Sequence, residues 1–220
     1  AGDIPVHTDA VQSFGKVEFN FSKLNVTAAT ISAHKIGGPL GVAALILKRG
    51  LDLTPVLHGG GQEREIRSGT LNAPSIVAFT AAAEYAIANM ASNFAKIREL
   101  RDYFIAGLKK SVPDVSINSV SDPALPGIVN ATFPGTESDA LLLLLDTEGI
   151  SASAGSACSA GVPRPSHVLV ALGLSESDAD ASLRISIGTT NTKSEIDQVL
   201  AVMPSVVERA RNAFVVSELN

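Results

Sequence analysis

Cysteine is almost missing from the chain: Cys158 is its one thiol, so no disulfide can close within it. Long apolar runs are missing as well. The clearest, Val42 to Leu47 and Ala140 to Leu145, fall far short of the roughly 20 residues that cross a bilayer. Nothing at the start reads as a signal peptide, and a cytoplasmic protein without membrane contact is expected. Basic charge is scarce too, with 17 Lys and Arg against 22 Asp and Glu and a formal net charge of −5. The two signs are interspersed, so there is no clustered basic face of the kind that direct nucleic-acid binding needs. His7, His34, His58 and His167 are scattered without metal-ligand spacing, and no metal is expected. Internal repeats and low-complexity tracts are absent.

What is there suits an α/β fold of one or two domains in 220 residues, 45% of them hydrophobic. From Ile4 to about Leu57, short β-rich runs alternate with glycine turns: a strand-like stretch at Ile4 to Val6, TAATIS at Thr27 to Ser32, and VAALIL at Val42 to Leu47. From Ala73 to about Val112 the apolar period changes to three and four, which predicts one long amphipathic helix, open to a bend, with Pro74 in its first turn. After Pro113 a smaller α+β unit begins. Strands are expected at Ile128 to Phe133, Ile150 to Ser153 and Ser182 to Ile187. Helices are expected at Ser138 to Glu148, Ser166 to Gly173 and Lys193 to Phe214, the last with Thr192 as N-cap. The division falls near residue 90, giving units 1–90 and 91–220 joined by the long helix.

Lys35 is the most informative single residue. A lone lysine is ordinarily a solvated surface group. Here it follows a β-branched run and precedes two glycines and a proline, which places it on a loop at a strand end. Asp9 follows the first strand-like stretch, and ligands of open α/β sheets gather at the carboxyl ends of strands. A lysine amine can form a Schiff base with the aldehyde of pyridoxal phosphate, and an aspartate can pair with its pyridinium nitrogen. Ser32 and His34, beside Lys35, are placed to meet the phosphate.

Cys158 lies in SASAGSACSAG, Ser151 to Gly161. A free cysteine is commonly a buried structural residue. This one sits among small residues and glycines that pack no core and suit an exposed loop, where a thiol of lowered pKa acts as a nucleophile. In SLRISIG, Leu183, Ile185 and Ile187 share one face of a strand, so Arg184 projects from the other. Its guanidinium fork suits a substrate carboxylate.

In this order VHTDAVQ, SAHK, GGGQEREIRSGT, GSACSAG and SLRISIGTTNT resemble the cysteine desulfurases of the fold type I, class V aminotransferase superfamily, in the branch with a long cysteine loop. The resemblance covers essentially the whole chain. It implies a partial large domain with a mainly parallel sheet and a small α+β domain carrying the cysteine loop. It also implies residue roles: Lys35 linked to pyridoxal phosphate, Asp9 at the pyridine nitrogen, Gln12 at the ring hydroxyl, and Ser32 and His34 at the phosphate. Thr70 would reach the phosphate of a neighbouring subunit, which implies a homodimer. Arg184 would hold the carboxylate of L-cysteine. Cys158 would take its sulfur as a persulfide, release L-alanine, and pass the sulfur to an acceptor or scaffold protein for iron-sulfur cluster assembly or tRNA thiolation.

The chain departs from the family by starting where Asp9 is already near, without the strands and helices that ordinarily precede it, so a fragment inactive alone is expected. After Lys35 the run Ile36 to Leu40 also differs from the family's aromatic and basic pattern. Two further readings stay open: a class V transaminase or selenocysteine lyase that does not need Cys158, and a non-catalytic truncated dimerisation or docking module.

Overall fold

The structure, a computed structural model, describes residues 4–119, 124–154 and 165–218. The chain forms two compact units, residues 1–94 and 95–220.

In the first unit, β1 (His7–Asp9), a short helix α1 (Phe21–Leu24), β2 (Ala28–Ser32) and β3 (Ala43–Leu47) precede α2 (Ala73–Ala88). β2 and β3 lie where the β-branched runs place them. The first strand does not: it takes His7–Asp9 and not Ile4 to Val6. The Val6 carbonyl accepts the amides of Thr27 and Ala28 while its own amide goes to the Thr27 hydroxyl, so the regular ladder starts one residue later. β1 and β2 are parallel, with Asp9 opposite Thr30, and β3 returns antiparallel to β2. One parallel and one antiparallel ladder thus stand where a mainly parallel sheet is expected; an antiparallel edge strand on such a sheet is common.

Ile31, Ala33, Ala10 and Phe79 form a small core with Phe14, Ile36 and Ala83 around it. Small residues let α2 approach the turn after β2. A Cβ added at Gly38 would stand 3.0 Å from the Cβ of Ala33 and 3.2 Å from that of Ala82. The long helix breaks at Asn89, where ψ is 6° and the side-chain amide donates to the Tyr85 carbonyl at 2.8 Å. The Tyr85 carbonyl thus accepts both the side chain and, at 3.1 Å, the backbone amide of Asn89, which closes the last turn of α2 as a cap. α3 (Met90–Ser111) restarts beyond it.

In the second unit, β4 (Ser116–Ile117), β5 (Ile128–Thr132), α4 (Ser138–Thr147), α5 (His167–Ala171), α6 (Glu176–Asp180), β6 (Ser182–Ser186) and α7 (Lys193–Glu218) follow. The sheet order is β4-β5-β6, antiparallel throughout. Its apolar face, Val129, Ala131 and Leu183, packs under Phe104 and Leu108 of α3, Leu141 and Leu145 of α4, and Met203, Val206 and Val207 of α7. Each such fully buried Val, Leu, Met or Phe side chain contributes about 1.5–3 kcal/mol. Thr192 does cap α7: its hydroxyl accepts the amide of Glu195, whose carboxylate accepts the amide of Thr192 at 2.7 Å, a reciprocal capping box. The expected strand at Ile150 to Ser153 is reduced to one antiparallel bridge, Ser153 opposite Arg184. Among the described residues no helix is long and apolar enough to cross a membrane.

Candidate active site

The first group of site residues is built on the carboxyl ends of β1 and β2. Asp9 is the last residue of β1, exposed, and one carboxylate oxygen accepts the Val11 amide at 2.9 Å. That local bond pins the side chain and leaves the second oxygen without a donor among the described residues. β2 ends at Ser32, and one turn of 3-10 helix, Ala33–Ile36, carries His34 and Lys35. The turn closes when the Gly38 amide reaches the Ala33 carbonyl at 2.9 Å, with Gly37 at φ 86°, a conformation that favours glycine.

Within the turn, the Ser32 hydroxyl and the Nδ1 of His34 share a hydrogen bond of 2.8 Å. Lys35 is exposed, and among the described residues nothing accepts a hydrogen bond from its amine. Lys16, half-buried, donates to the Oε1 of Gln12 at 3.0 Å. Burial first, and the positive charge of Lys35 second, hold the Lys16 ammonium below its ordinary pKa. Two ammonium groups therefore share the strand ends, a role for Lys16 that motif reading missed. Its only sequence signal is the four-residue step from Gln12.

Thr70 is exposed on the segment after Ser68, where the Gly69 amide donates to the Oε1 of Gln62 at 2.9 Å. No described contact joins it to the Lys35 turn. Cys158 lies outside the described residues.

The second group stands in the other unit. Arg184 is exposed on β6, on the face opposite buried Leu183 and Ile187, as the alternation requires. Its amide donates to the Ser153 carbonyl at 2.7 Å, its carbonyl accepts the Ser153 amide at 3.1 Å, and its Nη2 stands 3.4 Å from the Ser153 hydroxyl. The chain is thereby fastened to the arginine strand immediately before the segment that contains Cys158.

The Lys35 turn offers the donor set of a phosphorylated pyridine aldehyde. Among the described residues there is an amine without a partner, a carboxylate with one open oxygen, and a serine and histidine pair. These are the groups that pyridoxal phosphate needs for its aldehyde, its ring nitrogen and its phosphate.

Such a turn at the ends of neighbouring parallel strands defines an α/β protein of the fold type I class, the fold of the NifS-like structures to which it is similar. The aminotransferase class-V model matches residues 1–199, and the chain belongs to that pyridoxal-phosphate-dependent family. An IscS-like cysteine desulfurase of Mycobacterium tuberculosis is 45% identical over 211 residues, 96% of this chain and 54% of that protein. The cysteine desulfurase IscS of Methanosarcina thermophila is 43% identical over 206 residues, 94% of this chain and 51% of that protein. Among solved structures, the NifS-like protein of Rickettsia africae superposes with a TM-score of 0.83 at 37% identity, over 93% of this chain and 54% of that one. The chain spans about half the length of the relatives it matches.

Proposed function

We propose that these residues belong to a cysteine desulfurase, with pyridoxal phosphate held at the Lys35 turn and sulfur accepted by Cys158. The observation that carries the reading is the Lys35 amine, unpartnered among the described residues, one turn past β2 and beside the strand that ends in Asp9. The desulfurase relatives support it at the level of substrate. On this reading residues 1–90 are part of the cofactor-binding large domain and residues 91–220 the small domain bearing the cysteine loop.

Bound there, the cofactor would supply an electron sink for the α-carbon of the substrate. The Asp9 carboxylate would hold the ring nitrogen protonated, Gln12 would meet the ring hydroxyl, and Ser32 and His34 would hold the phosphate. The Lys35 amine would hold the aldehyde and take the α-proton of the substrate. Arg184 would orient the carboxylate of L-cysteine. The Cys158 thiolate would attack the substrate sulfur, forming a sulfur–sulfur bond as the carbon–sulfur bond breaks. The carbon keeps the electron pair and is protonated, so L-cysteine and one thiol become L-alanine and one persulfide. Thr70 would serve the phosphate of a second copy in a homodimer, and an acceptor or scaffold protein would collect the sulfur.

Borohydride reduction of the protein as encoded, with pyridoxal phosphate, should leave a pyridoxyl mass on the peptide that contains Lys35. Incubation with L-cysteine should leave a persulfide on Cys158, and Cys158→Ser should abolish sulfur transfer. Modification of another lysine, or transfer that survives Cys158→Ser, would sink the reading.

A further inference from the structure

Two turns meet at the strand end that carries Lys35. Past Asp9 the chain winds from Ala10 to Val17, with the Phe14 amide on the Ala10 carbonyl at 2.9 Å and the Val17 amide on the Ser13 carbonyl at 3.1 Å, the four-residue spacing of an α-helix. That winding sets Gln12 and Lys16 on one side. It also seats Gly15 against the Lys35 turn: a Cβ added there would lie 3.0 Å from the Cγ2 of Ile36 and 3.0 Å from the Cβ of Ala86. With φ at 74°, Gly15 takes a conformation in which a side chain would be both strained and crowded. The close approach brings Lys16 within electrostatic reach of Lys35.

The bond between Lys16 and Gln12 has only one possible polarity. An ammonium has three donors and no acceptor, so the atom of Gln12 that meets it at 3.0 Å is the amide oxygen. Gln12 is exposed and Lys16 half-buried, which makes the lysine the fixed member of the pair. An unheld glutamine can present either end of its amide to a ligand. This one has its oxygen committed, and its Nε2 keeps two N–H donors that meet no acceptor among the described residues. An ionised ring hydroxyl only accepts, and the reversed amide would set one oxygen against another.

We propose that Lys16 is a positioning residue for the cofactor's ring oxygen, holding the oxygen of Gln12 so that the amide nitrogen is the end left for the ring. The inference rests on the reading of Gln12 as the residue at that hydroxyl. Without Lys16 the amide would spend part of its time reversed, and the donor would be lost for that fraction.

The test reads the colour of the protein as encoded, loaded with pyridoxal phosphate, as a function of pH. A donor aimed at the ring oxygen favours its fully charged form, the one left once the cofactor's link to Lys35 loses its proton, and so keeps the colour change at lower pH. Gln12→Ala should move the change upward by about one unit, the scale of one hydrogen bond to a charged group. Lys16→Met should move it in the same direction, Lys16→Arg should restore it, and in the Gln12→Ala background Lys16→Met should add nothing. Asp9, His34 and Lys35 are the same in every variant. Affinity for pyridoxal phosphate, followed by absorbance, should show the same pattern. A wild-type colour change in Lys16→Met overturns the inference. A shift of equal size with and without Gln12 overturns it too, since the lysine would then act by its charge alone. If Gln12→Ala leaves the colour change where it was, the reading of Gln12 at the ring hydroxyl fails, and the role of Lys16 with it.

Discussion

Ser153 and Arg184 exchange both of their backbone hydrogen bonds, at 2.7 and 3.1 Å, so the strand that presents the guanidinium also anchors the chain just before the glycine and serine segment. The anchor is a single bridge, which makes it sensitive to one donor. Ser153→Pro removes the amide that Arg184 accepts, and a loss of about 0.5–1.5 kcal/mol is expected. Ser153→Ala keeps both backbone bonds and should be near neutral. Urea midpoints, together with faster amide exchange at Arg184 in the proline variant alone, check the pair.

The Lys35 turn depends on a residue that makes no polar side-chain contact. At Gly38 an added Cβ would lie 3.0 Å from the Cβ of Ala33 and 3.1 Å from its carbonyl oxygen. Backbone cannot move aside as a flexible side chain can, so Gly38→Val should cost about 1–3 kcal/mol, the usual scale of overpacking. The turn that carries Lys35 should shift with it. Weaker pyridoxal phosphate binding, followed by absorbance at equilibrium, is expected beside the lowered urea midpoint.

Much of the fold and of the site is legible in the order of residues alone. The β-branched runs mark β2 and β3, the alternation of Leu183, Ile185 and Ile187 sets the direction of Arg184, and Thr192 announces α7. Where that legibility ends, the missing information is tertiary. Asn89 looks like any polar residue of a helix, and only its turned backbone, with ψ at 6°, marks the break. α6 (Glu176–Asp180) has no apolar period to find, though Ser175 capping the Asp178 amide follows the usual spacing. Asn130 sits in a strand whose pattern is carried by its hydrophobic residues, and its partner on β6 is more than fifty positions away in the chain. No local pattern joins them.

The charge state of Lys16 gives a pH dependence with a definite sign. Burial, and then the positive charge of Lys35, lower its pKa in the folded protein. Between that lowered value and the ordinary lysine value, the unfolded chain binds more protons than the folded one, so stability rises with pH. Below the window the penalty is fully present; above it the group is neutral in both states. Lys16→Met should flatten this segment of the stability curve relative to the wild type. Urea midpoints across the alkaline range would show it, and parallel curves for the two proteins would refute it.

Thr132 and Ser182 are buried with their hydroxyls 2.7 Å apart, and buried hydroxyls are costly to orphan. Ser182→Ala leaves the Asp178 carbonyl without its 2.6 Å donor and the Thr132 hydroxyl without its acceptor. A loss of about 1–3 kcal/mol follows from the desolvation of those groups. Thr132→Val should cost a similar amount. Because each substitution already breaks the link between the two side chains, the double variant should lose less than the sum of the singles, which denaturant unfolding of the four proteins measures. Additive losses would show that the two hydroxyls act independently.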